Sequence, residues 1–103
     1  MYKIEYSQTA LDDIKEIVAY ISRELSNPEA ASKLAEKIIE KGNSLSDFPY
    51  GRSVYSPIRK LKHEYRTIPI DNYIMFYWID ESKKKVMIVR VVYSKSEISK
   101  IIT

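Results

Sequence analysis

The chain has 103 residues, 45% hydrophobic and 30% charged, with no cysteine and a net charge of +3. That length supports one modest two-layer core, and the composition is that of a folded globular domain rather than a disordered chain. Disulfides, thiolate metal sites and cysteine nucleophiles are excluded, and the lack of cysteine suits a reducing cytosol.

The charge is uneven. Residues 1–51 carry six Lys/Arg against nine Asp/Glu, a balance of −3; residues 52–103 carry eleven against five, a balance of +6. A basic C-terminal half favours an anionic partner, or is a mildly basic solvated surface. The first residues show no charged lead followed by an apolar stretch, so no signal peptide is expected. The longest apolar run, Tyr73 to Ile79, is far short of a membrane span. Two glycines, Gly42 and Gly51, leave no Gly-rich phosphate loop.

In chain order, "YKIEYS" alternates, with Tyr2, Ile4 and Tyr6 on one face and Lys3 and Glu5 on the other, which predicts a half-buried strand. Ser7 or Thr9 then caps a helix whose stripe is Leu11, Ile14, Ile17, Val18, Ile21 and Leu25. Asn27, Pro28 and Glu29 start a second helix, with Ala31, Leu34, Ala35, Ile38 and Leu45 on its apolar face. So short a connection makes the two helices an antiparallel hairpin. "DFPYGRSVYSPIRK" reads as a long loop of functional character. "KHEYRTIPI" (62–70) contains Pro69 and suits an edge strand. "NYIMFYWI" (72–79) is apolar on both faces and suits a central strand. After a polar turn comes "VMIVRVVY" (86–93), then a short helix near 96–102.

The expected fold is therefore α+β, in the order β–α–α–β–β–β. A helical hairpin packs on one face of a four-stranded, mainly antiparallel sheet, in a single domain spanning 1–103. The other face of the sheet is also apolar, through Ile74, Phe76 and Trp78, and so requires a partner. Arg90 is a charge inside the last strand. Alternation puts it with Ile88 and Val92, away from the helices, where Glu5 of a neighbouring first strand is its natural partner.

The ordered set "YSQTALDDIKEIVAYI", "AASKLAEKIIEKGNSLSDFPYGR", "IRKLKHEYRTIPIDNYIMFYWID" and "VMIVRVVYSKSE" resembles the RelE/ParE superfamily of bacterial type II toxins, also known as plasmid stabilisation proteins. The resemblance covers essentially the whole chain. It implies a cytoplasmic toxin that arrests growth and is neutralised by a cognate antitoxin, as a homodimer or a hetero-oligomer with it. It implies no metal and no small cofactor. RelE-like members cleave mRNA on the ribosome, whereas ParE-like members inhibit DNA gyrase. The fold alone does not choose between them.

RelE chemistry needs a base for the 2′-OH, cations for the phosphorane and an acid for the leaving oxygen. By the resemblance, Arg66 retains the first of two second-strand basic positions and Ile68 stands at the second. Ile74 replaces a third-strand arginine. Ser96, with Lys95 beside it, replaces the arginine after the last strand. No tyrosine follows Tyr93, and Ser94 stands where some relatives carry a late histidine. A substitute set for RNA cleavage is His63 or Glu64 with Arg59, Lys62, Arg66, Arg90 and Lys95, but strand alternation separates His63 from Glu64. The long hairpin, the "PYG" turn and "RVVYSKSE" are more similar to the ParE branch. Target or nucleic-acid contact is expected from Arg52, Arg59, Lys60, Lys62, Arg66 and Lys95, and antitoxin contact from Arg90 and Tyr93. A non-toxic, antitoxin-binding remnant is the third reading.

Overall fold

The computed structural model describes residues 1–57 and 60–102. Strand β1 (Lys3–Tyr6) leads into helix α1 (Gln8–Ala19), which continues through a π-helical turn over Tyr20–Glu24. Helix α2 (Pro28–Ser44) returns along the sheet, and a 3-10 turn at Pro49–Gly51 leads to the two-residue strand β2 (Ser53–Val54). Strands β3 (Arg66–Ile70), β4 (Tyr73–Asp80) and β5 (Lys85–Tyr93) form a meander, and α3 (Ile98–Ile101) follows. The sheet order is β1-β5-β4-β3-β2, with β1 parallel to β5 and all other pairs antiparallel. The fold class and hairpin agree with expectation, and β4 is central.

The sheet has five strands rather than four. The added β2 pairs Ser53 with Thr67 and Val54 with Arg66, which moves β3 inside the edge. β2 does not reach Pro69, so the missing N–H of the proline costs no pairing there. Residues 62–65 are not strand, and expectations built on their alternation do not apply.

The helix starts follow local chemistry. The Ser7 hydroxyl accepts from the Ala10 N–H at 3.1 Å, and the Asn27 side chain accepts from Ala30 at 3.0 Å. Ala10, Leu34, Ile38 and Leu45 pack on Ile68, Ile70, Met75, Tyr77, Val86, Ile88 and Val91 of the sheet. Leu11 and Leu25, at 37% and 56% exposure, lie outside this core, so the buried stripe of α1 runs through Ala10, Ile14, Ile17 and Ile21.

The opposite sheet face is not open. Phe76, Val92, Ile74, Trp78 and Val89 are covered by Tyr55, Leu61 and Tyr65 of the long loop and by Ile98, Ile101 and Ile102 at the C-terminus. The chain covers its own second face, so that face does not by itself demand a partner.

The strand parity expected for β5 also fails, for a definite reason. Phe76 pairs with Arg90 and Tyr77 with Ile88, leaving Val89 as the extra residue of a bulge. One inserted residue reverses alternation beyond it, so Val86, Ile88 and Val91 face the helices. Arg90 is not paired with Glu5. Its Nε and Nη2 donate to the two carboxylate oxygens of Asp13 on α1, at 2.8 and 3.0 Å. Glu5 instead meets Lys85 at 3.2 Å.

Gly42 of α2 sits directly over Tyr6, whose hydroxyl is buried without a partner among the described residues. A methyl group at position 42 would collide with that hydroxyl and lie 3.1 Å from Ile88 Cδ1. Helix propensity alone favours Gly42→Ala by about 1 kcal/mol. Overpacking costs about 1–3 kcal/mol, so a net loss is expected. In a Tyr6→Phe background the same change should become neutral or stabilising, as read from urea unfolding midpoints.

Candidate functional site

A cleft of 470 Å³ opens at the end of β4, lined by Tyr50, His63, Glu64, Arg66, Trp78, Ile79, Asp80 and Glu81. It exists because β3 begins opposite Tyr77, so Trp78 to Asp80 have no neighbour on that side. One wall is the 3-10 turn. The buried Tyr77 hydroxyl donates to the Pro49 carbonyl at 2.6 Å, and burial pushes that phenol up to about 12. Arg66 Nη1 donates to the Tyr50 and Arg52 carbonyls at 3.2 and 2.8 Å, and Nη2 to Glu64 at 3.2 Å. The guanidinium also lies 5.2 Å from the Tyr50 ring centroid. Arg66 thus fixes the turn while facing the cleft.

The other wall is aromatic. His63 stacks on Trp78, with ring centroids 3.7 Å apart and planes 3° from parallel. Burial, then the Lys62 charge, lowers the imidazole pKa below its usual 6.5, against an opposing pull from Asp80. The neutral form of the imidazole is thereby favoured.

At the base, Glu81 gathers three donors: the Tyr50 hydroxyl at 2.6 Å, the Tyr2 hydroxyl at 2.7 Å, and the Lys84 ammonium. These bonds hold the carboxyl down at about 2, the lysine bond contributing most. Tyr50 is pushed up to about 12, first by its bond to Glu81. The clasp ties the N-terminal strand, the 3-10 turn and the β4–β5 turn together through side chains far apart in sequence.

A second groove of 570 Å³ continues from His63 and Glu64 along Val54 to Pro57 and Lys60 to Lys62. Of the expected site residues, the structure thus brings His63, Glu64, Arg66, Lys60 and Lys62 together. His63 and Glu64 share both clefts because residues 62–65 leave the strand, contrary to the separation expected from alternation. Arg52 is exposed and contributes its carbonyl to Arg66. Arg90, on Asp13, and the exposed Lys95, between β5 and α3, line neither cleft. Tyr93 is 45% exposed, with its ring edge-on to Tyr73. Arg59 lies outside the described residues. Ile68 and Ile74, at basic positions of the resemblance, are core residues on opposite faces. Sequence reading missed Glu81, Tyr2, Tyr50 and Lys84. The only local signal was a carboxylate followed by three lysines in a turn.

Residues 4–97 match the family model of the ParE toxin of type II toxin–antitoxin systems, parDE. The chain belongs to the ParE toxin family. Solved structures agree in fold. A chain of the chromosomal ParDE system of P. aeruginosa is 18% identical, with a TM-score of 0.73 over 92% of this chain and 98% of that one. The RelBE2 toxin–antitoxin complex of Mycobacterium tuberculosis gives 20% identity and 0.64, covering 89% and 96%. The isolated E. coli RelE toxin gives 15% and 0.64, covering 98% and 94%. No curated protein matches the chain in sequence.

Among the described residues, no group of three or more His, Asp or Glu is arranged to hold a metal, and no helix is long and apolar enough to cross a membrane. The clasp makes a pH prediction. Glu81 has a folded pKa below its usual 4.5, so its contribution is present above 4.5 and is lost as pH falls toward about 2. Tyr50 has a folded pKa above its usual 10, so its contribution is present below 10 and is lost as pH rises toward about 12. Glu81→Gln should flatten both limbs of a thermal-midpoint against pH curve, leaving the region between closer to level.

Proposed function

We propose that this ParE-family protein is a growth-arresting toxin of the cytoplasm, formed by the single domain 1–103, that inhibits DNA gyrase through protein contacts and is neutralised by a cognate antitoxin. The observation that carries the gyrase reading is how the fold engages its arginines. Arg66 is taken by two carbonyls and Glu64, and Arg90 by both oxygens of Asp13. A guanidinium so held is oriented by the protein's own acceptors rather than toward a phosphorane, and Ile68 and Ile74 are packed in the cores. What remains for a target is the exposed surface around the 3-10 turn, with Arg52, Lys60 and Lys62, and Lys95 farther along the chain. The antitoxin reading draws on the toxin–antitoxin complexes among the similar structures. It assigns Tyr93 and the neighbourhood of Arg90 to that partner, which makes the working form a hetero-oligomer when neutralised.

One observation favours a second reading, ribosome-dependent mRNA cleavage. His63, its neutral form favoured, and Glu64 line the same cleft as Arg66, which supplies two candidate bases beside a cation.

Purified toxin added in excess to gyrase should abolish supercoiling of relaxed plasmid, and added antitoxin should restore it. Unchanged supercoiling, with new 5′ ends inside translated messages after induction, would sink the gyrase reading in favour of cleavage. Growth unaffected by induction would leave only an antitoxin-binding remnant.

A further inference from the structure

Phe48 is 79% exposed, more than any other large apolar side chain except Met1 among the described residues, and it packs into neither core. Residues 50–54, which follow the buried Pro49, are all exposed as well. The fold nevertheless holds this segment in place. The Pro49 carbonyl accepts from Tyr77, the Tyr50 and Arg52 carbonyls accept from Arg66, and the Tyr50 hydroxyl donates to Glu81. The Arg52 side chain itself makes no ion pair with any described carboxylate. Over residues 47–66, five Lys/Arg stand against two Asp/Glu, and one of those two, Glu64, is already engaged by Arg66. The strand that ends this segment, β2, is the outermost of the sheet. The Tyr55 N–H donates to the Tyr65 carbonyl at 2.8 Å, so residues 53 and 55 turn their backbone groups toward β3 and Val54 turns its N–H and C=O outward.

An aromatic ring standing out from a pinned loop is the form an interface anchor takes. It brings a large apolar area to a partner and loses little freedom on binding. Arg52 beside it calls for carboxylates on that partner. The outward N–H and C=O of Val54 call for a main chain, which answers as donor and acceptor at once. A second copy meeting this one through the same surface would set two basic loops against each other. The matching partner is a protein with an apolar socket and an acidic rim.

We propose, resting on the gyrase reading above, that Phe48 is the anchor of the gyrase contact, seated in an apolar socket whose acidic rim meets Arg52 and whose main chain meets the open edge at Val54. The contact lies on the loop before β2, away from the Tyr93 end of the sheet that the antitoxin is assigned.

Supercoiling by gyrase is measured against rising concentrations of the wild-type chain, Phe48→Ala, Arg52→Glu and Leu25→Ala, with the thermal midpoint and antitoxin affinity of each variant measured alongside. Phe48→Ala should raise the concentration for half-inhibition by about thirtyfold or more, with midpoint and antitoxin affinity unchanged. Arg52→Glu should raise it by about tenfold, and more so at low salt. Leu25→Ala, which removes another exposed apolar side chain beyond the π-helical turn, should leave it unchanged. Full inhibition by Phe48→Ala beside an inhibiting wild type would overturn the proposal and leave the gyrase reading standing. An equal loss in Leu25→Ala, or loss of antitoxin affinity with inhibition retained in Phe48→Ala, would overturn it too. A wild type that leaves supercoiling unchanged would remove the gyrase reading itself, and this contact with it.

Discussion

The Asp13 carboxylate covers the stretch of β5 that the short first strand leaves unpaired. β1 is four residues long and pairs only with Lys85 to Ile88 of the nine-residue β5. Past that point β5 would show bare backbone to water, the kind of edge that invites pairing with another chain. The chain turns into α1 there. The Ser7 N–H donates to the Ile88 carbonyl at 2.9 Å, the Ser7 hydroxyl to the Val89 carbonyl at 3.1 Å, and the Val91 N–H to Asp13 at 3.0 Å. The Val89 bulge lies at this junction and is followed by Arg90, which grips both oxygens of the same carboxylate. A bidentate pair adds geometric definition to charge. Helix, bulge and strand are thereby fixed to one another, and α2 and the main core are built on that arrangement.

How much of this the sequence shows depends on whether the signal is local. The first strand, both helix caps and the central β4 are written in neighbouring residues: alternation, Ser7, Asn27–Pro28, and a run apolar on both sides. The bulge is not, because one extra residue leaves no mark in a run such as "VMIVRVVY", apolar on both sides of Arg90, yet reverses every face beyond it. The second core is equally hidden. Tyr55, Leu61 and Tyr65 come from a loop without periodicity, and the covering isoleucines lie beyond the last strand. β2, at two residues, is too short to signal itself.

The site follows the same division. His63, Arg66, Lys60 and Lys62 stand out as residue types, but their engagement does not. Arg66 is both a cleft residue and the tie that holds the 3-10 turn. The Glu81 clasp joins positions 31 and 79 residues away, a convergence that only the folded chain brings about. The result is a loop pinned from beneath by Tyr77 and Arg66 and from the side by Glu81, so its outward residues are presented on a rigid base. Rigid presentation suits recognition of a partner surface, where ordering a loop on binding would subtract from affinity. Membership of the ParE toxin family is compatible with such a surface, and the fold alone does not fix what that surface meets.

A double-mutant cycle tests whether the charge in the last strand is structural. Urea unfolding of the wild type, Asp13→Ala, Arg90→Ala and the double variant isolates the energy between the two side chains. A favourable coupling of about 1.5–3 kcal/mol is expected. A coupling below about 0.5 kcal/mol, the level of independent sites, would contradict it.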